Sequence, residues 1–394
     1  MPRLVAAFAM CVAASAAAPL SPWPMRLGNA QGTGQSTASG PTSSAKTLRC
    51  SGVPSTEAPA VGADGTMYQP STNGALFALG ASDGSPLWTF TPNISSPYMQ
   101  VQTPVLSSDG TAVFYAADAI YSFDAASGAV NWSWNVTLST NNFGALLRGA
   151  NDVLYAVVTR QVLVALDGAT GAVNWTQIGY FVDIALSPDN KKIYAVVDGS
   201  LVGIDAASGS VQWRQNMNIA AAPLVSATGQ LVFSSYCTAG VGMALFDPTT
   251  FTFVWSQCVS VYDMTTCNSG NSFQFSAPIL VMGSTLVMTW SCGQSYPSAS
   301  NRGGIIGVSM ISGTAVWETP GSFTPSSSGL PSPVAGVDST VYTSNSSGTI
   351  FGINSGTGAA IWSFPTGNVN TPPFAAIAGN KRLALGNCLY TEDV

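Results

Sequence analysis

The stretch IYSFDAASGAVNW, Ile120 to Trp132, decides how this chain reads. A short alternating apolar run is followed by an Asp-x-x-x-Gly turn, and a second run ends in tryptophan. The same layout recurs as LFALGASDGSPLW ending at Trp88, LVALDGATGAVNW at Trp175, LVGIDAASGSVQW at Trp213, GMALFDPTTFTFVW at Trp255, IIGVSMISGTAVW at Trp317 and IFGINSGTGAAIW at Trp362. Glycine stands four residues before tryptophan in six of the seven copies (Gly84, Gly128, Gly171, Gly209, Gly313, Gly358), and Phe251 takes that place in the fifth. Aspartate stands eight before tryptophan in four copies, as Asp124, Asp167, Asp205 and Asp247. Tryptophans recur at spacings of 44, 43, 38, 42, 62 and 45, so one insertion separates the fifth copy from the sixth.

Upstream of each copy lie two more apolar runs with a turn between, as in TPVLSSDGTAVFYAAD and DIALSPDNKKIYAVVDG. Asp-Gly and Asp-Asn between alternating runs mark hairpins. Each unit therefore has four antiparallel strands in about forty residues, which is a β-propeller blade. No 3.6-residue periodicity supports a helical solenoid. The tryptophans read as packing residues of outer strands that lean on the next blade. The aspartates read as acceptors for amide groups of their own turns, and the glycines as turn formers.

The pattern A/G-x-D-x-x-x-G-x-x-x-W resembles the tryptophan-docking repeat of the pyrroloquinoline quinone (PQQ) family of β-propellers. The resemblance covers residues 57 to 394 in seven register-matched copies. The residue after tryptophan is never aspartate, which separates these repeats from WD40. The family's quinone-dependent dehydrogenases carry a Ca²⁺ site, a general-base aspartate and often two adjacent cysteines. No adjacent cysteines occur here, and no metal-plus-base set maps onto this sequence. The resemblance thus implies a non-catalytic propeller that binds a protein, peptide or glycan, without a cofactor. The alternative is a PQQ-dependent or other extracellular oxidoreductase.

After Trp362 the chain supplies two strands of an eighth unit and stops. A segment from about Lys46 to Ser55 is placed to complete that unit, so the expected fold is all-β with eight four-stranded blades closed by the two termini; seven blades is the alternative. In the repeat register Cys388 ends the second strand of the last unit and Cys50 lies in the closing strand, which suggests a Cys50–Cys388 bridge. Cys237 and Cys292 end the second strands of copies five and six and form a second expected pair. Cys258–Cys267 would close the inserted loop.

Only 8% of residues are charged, the net charge is −6 and histidine is absent. No basic cluster exists, which excludes a nucleic-acid surface, and without histidine no Ser-His-Asp or Cys-His nucleophile is available. After residue 21 no run is apolar enough to span a bilayer. Residues 1–18 read as a secretory signal peptide: Arg3, an apolar run, then small residues. Residues 19–48 (PLSPWPMRLGNAQGTGQSTASGPTSSAKTL) read as a low-complexity flexible segment, and 49–394 as the propeller. The chain is expected to be secreted and monomeric.

Sequons at Asn93, Asn135 and Asn345 are candidate glycosylation sites. Those at Asn131 and Asn174 precede a strand tryptophan and are weaker. The scarce charges of the loops at the funnel mouth, Asp118, Arg160, Asp198 and Arg302, form the candidate ligand face, together with insertions at Ser256 to Ser276 and Gly293 to Gly304.

Overall fold

A computed structural model describes residues 21–392 except 44–45, 54, 56, 94–101, 136–142, 218, 220–222, 238–239, 260–271, 294–301, 321–331, 346, 367–374, 380 and 386–387. Its strands form eight separate antiparallel sheets, each one blade of an eight-bladed propeller. Blade 2 shows the plan: Val105–Leu106 innermost, then Ala112–Ala116 and Ile120–Asp124, with Val130–Trp134 outermost. The middle strands read as unbroken apolar runs because neighbouring blades cover both of their faces. Leu154–Val158 of blade 3 is buried at every position. The outer strands alternate, exposed then half-buried, with the tryptophan on the covered side.

The joint between blades explains the repeat. The Trp88 indole N–H donates to the Ala125 carbonyl of the next blade (3.0 Å), Trp132 to Gly168 (2.9 Å), Trp175 to Ala206 (3.0 Å), Trp255 to Met310 (2.8 Å) and Trp317 to Ser355 (2.7 Å). In each joint the acceptor follows the aspartate position of the turn. The turn itself is held as expected, with Asp124 Oδ1 accepting from the Ser127 amide at 2.8 Å. The glycine has a further purpose. A Cβ on Gly128, Gly171, Gly209, Gly313 or Gly358 would stand 2.3–2.6 Å from the indole of the preceding blade. Each glycine is therefore the seat for its neighbour's tryptophan as well as a turn residue.

Three joints depart from the rule. Between blades 7 and 8 the Trp362 ring stacks on Tyr390, centroids 5.7 Å apart. Blade 5 has Phe251 at the seat, with φ of 57°, and the Trp213 ring meets it edge-on at 5.4 Å. The Trp213 indole N–H has no acceptor among the described residues. Between blades 8 and 1 no tryptophan is available, and Gly84 has nothing near its Cβ position. There the Arg382 guanidinium donates to the Ala81 carbonyl, and Arg49 donates to the Ser82 carbonyl at 3.2 Å. Arg382 thus replaces the indole at the closure. Arg382→Ala is expected to lower unfolding free energy by about 2 kcal/mol, the usual cost of losing a charged hydrogen bond. A urea midpoint unchanged from the parent would contradict this.

The ring closes through both termini. Ala375–Gly379, Arg382–Leu385 and Cys388–Glu392 supply three strands of blade 8, and Lys46–Cys50 pairs antiparallel with Cys388–Glu392 as its outer strand. The expectation of two C-terminal strands is corrected: Cys388 opens the third strand instead of ending the second. Cys388 still faces Cys50 in the register, a placement that a disulfide can span. The insertion after copy five is also more ordered than a loop. Thr252–Val259 lengthens the outer strand of blade 5. In blade 6, Ser272–Phe275 and Ile279–Val281 both pair with the long strand Thr285–Gly293.

Residues 21–43 correct the expectation of a flexible arm. Trp23 and Met25 are 1% and 2% exposed, and the segment runs around the inside of the ring in blade order. The Val61 amide donates to the Trp23 carbonyl (2.7 Å), Leu106 to Pro24 (2.9 Å), Leu186 to Ala30 (2.9 Å), Val225 to Gln31 (2.9 Å), Leu280 to Thr33 (2.8 Å) and Ala335 to Gly34 (2.8 Å). These donors belong to the innermost strands of blades 1, 2, 4, 5, 6 and 7, near the end where each turns into its second strand. The glycines in the segment are there for fit. A Cβ on Gly34 would stand 2.1 Å from Ile279 Cγ2, and one on Gly40 2.7 Å from the Tyr342 ring.

Candidate axial site

Innermost strands point along the ring axis, so whatever they leave open is an axial cavity. One such cavity, about 80 Å³, lies above residues 21–43. Its floor is Arg26, Leu27, Asn29, Ala30 and Gly32, and its walls include Leu147, Asp183 and Leu224. The Arg26 guanidinium donates to Asp183 Oδ2 at 3.0 Å, tying the floor to blade 4. Asp183 chiefly, and Glu57 more weakly, favour the charged form of this half-buried guanidinium.

Glu57 lies just before the innermost strand of blade 1, and burial pushes its carboxyl up to about 7, opposed in part by Arg26. A carboxyl raised above its unfolded value keeps its proton in the fold while the unfolded chain has lost it. Its contribution to stability is full below about 4.5 and is lost as pH rises to about 7. Relative to Glu57→Gln, the parent chain should lose about 2 kcal/mol between pH 4.5 and 7.5. Urea unfolding of both proteins across that range checks the sign and the window.

The sequence-based candidates occupy the opposite kind of position, in connections at the mouth. Asp118, Arg160 and Asp198 follow the second strands of blades 2, 3 and 4. Arg160 and Asp198 are exposed and adopt φ of 57° and 49°. Asp118 Oδ1 accepts from the Tyr121 hydroxyl at 2.8 Å, and Arg160 reaches the Tyr180 hydroxyl at 3.5 Å. The turn of blade 3 is fixed to the link into blade 4, where the Phe181 amide donates to the Arg160 carbonyl at 2.7 Å. Arg302 opens the third strand of blade 6, and its side chain lies outside the described residues, as do Tyr262, Asp263, Met264 and Tyr296.

Cys237 ends the second strand of blade 5 and Cys292 lies one residue short of the end of the second strand of blade 6; Cys267 is outside the described residues. Asn93 and Asn135 are exposed, whereas Asn345 is half-buried and its Oδ1 accepts from the Thr349 amide at 2.9 Å. Asn131 and Asn174 stand exposed on outer strands. Sequence reasoning missed Arg26, Asp183 and Glu57. Arg26 sat in a segment whose composition signals disorder, and the acidic pair carried no repeat position.

Among the described residues no helix is long and apolar enough to cross a membrane, and no group of three side chains able to hold a metal occurs. No curated protein matches the sequence. Among solved structures, BamB from Moraxella catarrhalis is 14% identical with a TM-score of 0.58, covering 87% of this chain and 97% of its own. Quinohemoprotein alcohol dehydrogenase from Comamonas testosteroni is 12% identical with a TM-score of 0.64, covering 96% of this chain and 81% of its own. A europium-containing methanol dehydrogenase is 12% identical with a TM-score of 0.62, covering 93% and 89%. These likenesses show the fold. The family model described as "outer membrane protein assembly factor BamB" matches residues 26–142 and 117–266, more than half of the chain. The chain is therefore a member of that family of PQQ-like repeat β-propellers.

Proposed function

We propose that this chain is a secreted, non-catalytic propeller that serves as a binding or scaffold module, with its ligand face at the mouth formed by the connections bearing Asp118, Arg160, Asp198 and Arg302. The observation that carries this reading is how little room the described residues leave beside residues 21–43. Residues 21–43 occupy one end of the channel, and the cavity above them, about 80 Å³, has room for roughly half a dozen water molecules. Pockets for organic cofactors run to about 300 Å³ and above. That cavity is smaller than such a pocket, and Arg26, the cation on its floor, is already engaged by Asp183. Larger hollows among the described residues lie off the axis, one of about 680 Å³ beside Asp64, Asp109 and Asp124; the mouth connections are taken as the ligand face because they carry charges in a chain that has few.

The BamB of Moraxella catarrhalis, named as an assembly factor through its family, supports a partner that is a protein or peptide. The proposal includes a Cys50–Cys388 bridge clamping the ring, pairs at Cys237–Cys292 and Cys258–Cys267, and glycans at Asn93, Asn135 and Asn345 where a eukaryotic secretory route is used. Intact mass and visible absorbance of the secreted protein test the reading. The expected mass is that of the polypeptide with its glycans and disulfides, with no quinone absorbance. A bound quinone in stoichiometric amount sinks it. Non-reducing peptide mapping that links Cys50 elsewhere removes the clamp.

A further inference from the structure

We propose that the axial channel is a peptide-binding groove, that residues 21–43 are its resident ligand held in cis, and that the groove accepts an extended, small-residue peptide of the same pattern in trans. The inference goes beyond the binding-module reading: it adds a second site, on the axis, to the face proposed at the mouth.

Three observations point to it. First, recognition runs through backbone. An innermost strand has one edge paired within its blade and one edge turned to the axis, so its outward amide groups need acceptors. Carbonyls of residues 23–34 meet such groups on six blades. An isolated antiparallel bridge joins Trp23 to Val61, and a parallel one joins Gln35 to Ala335. This is strand addition, wrapped around a ring instead of laid along one sheet.

Second, the groove carries a steric code. It has a deep seat for one large ring, filled by Trp23, and positions that admit no side chain at all, filled by Gly34 against Ile279 and Gly40 against Tyr342. Specificity therefore comes from an aromatic anchor followed eleven residues later by an obligatory glycine. Side chains pin the segment near both ends. Arg26 meets Asp183 at 3.0 Å, and Glu392 accepts from the Thr42 amide at 2.8 Å and from the Ser43 hydroxyl at 2.6 Å.

Third, most of the ring does not need the segment for its core. Of the six hydrophobic clusters among the described residues, four contain no residue from 21–43. The other two take only Met25, Ala30, Trp23 and a partly buried Ala38 from it. A part joined by backbone bonds and a few side chains, Trp23, Met25 and Arg26 chief among them, and absent from most cores, is built like a bound peptide.

The test uses the full chain with a specific protease sequence inserted between Ser44 and Ala45, cleaved after folding. A fluorescent synthetic peptide of residues 19–44 is then added. The expected result is saturable exchange to one labelled peptide per chain with the far-ultraviolet spectrum unchanged. The same peptide carrying Gly34→Leu should bind at least about 100-fold more weakly, and the Trp23→Ala peptide should also be weak. Three outcomes overturn the inference: the cleaved chain unfolds as its segment leaves, the segment never exchanges, or the Gly34→Leu peptide binds as well as the parent. A quinone found by absorbance would remove the non-catalytic reading but would not alter the exchange result, so the two failures are separable.

Discussion

Gly209→Ala is expected to cost about 3–5 kcal/mol of unfolding free energy, whereas Gly84→Ala, at the same place in the repeat, should cost about 1. The two glycines share a backbone conformation, with φ of 72° and 70°. Alanine at either pays the left-handed penalty of about 1 kcal/mol. Their surroundings differ. A Cβ at Gly209 would stand 2.5 Å from Trp175 Cε3, while at Gly84 nothing lies within 4 Å. Relief of that collision requires the indole to move, which strains the joint by about 1–3 kcal/mol. It also breaks the Trp175 bond to the Ala206 carbonyl, worth about 1 kcal/mol. Urea midpoints of the two variants, measured side by side, isolate the docking contribution. Equal losses would mean that the glycine is conserved in the repeat for its turn alone and that the indole seat is energetically idle.

That comparison also locates what the sequence could and could not disclose. The periodic tryptophans were legible because every blade solves one packing problem, and identical problems select identical residues at identical spacing. The aspartates were legible for the same reason, since their bonds are local to one turn. The second purpose of the glycine was hidden, because its partner lies in the preceding blade, 34 residues upstream for Gly209 and Trp175. Arg382 was hidden more deeply. It fills a position defined by the absence of a tryptophan at the closure, and a lone arginine in a strand carries no pattern.

The eighth blade was legible in outline, but its third strand was not. Cys388–Glu392 lies close to the C-terminus without the downstream turn and tryptophan that identify a third strand elsewhere. At the mouth, sequence reasoning could name charges in connections but not bring them into one site. At the axis, Arg26 meets Asp183 and feels Glu57 only because residues 21–43 lie within the ring. Their composition, rich in glycine, serine and threonine, is what a flexible linker has. It is also what a strand needs when backbone must pass close to backbone on several sides. Composition does not distinguish the two cases; the surrounding volume does.

Trp23→Ala is the substitution that separates those cases by the largest margin. If residues 21–43 were a loose arm, truncating one of their side chains would leave stability unchanged. The structure instead buries the Trp23 ring in a cluster with Val61, Met67, Leu79 and Tyr342 that joins blades 1, 7 and 8 around the closure. Gly28 folds over the ring, its Cβ position 3.2 Å from Trp23 Cζ3. Removing a buried indole from such a seat costs about 3–5 kcal/mol. A segment bound in cis can stabilise the ring by no more than its own binding free energy, so a loss of that size also sets a minimum on how firmly the segment is held. The indole N–H has no acceptor among the described residues, and burying such a group without a partner is costly. Trp23→Phe removes that group while keeping an aromatic ring, so its loss should be less than half that of Trp23→Ala. Thermal or urea unfolding of the three proteins reads the order directly. Parent-like stability of Trp23→Ala would return residues 21–43 to the status of a linker, and a larger loss for phenylalanine than for alanine would show that the seat is not shaped for an aromatic ring.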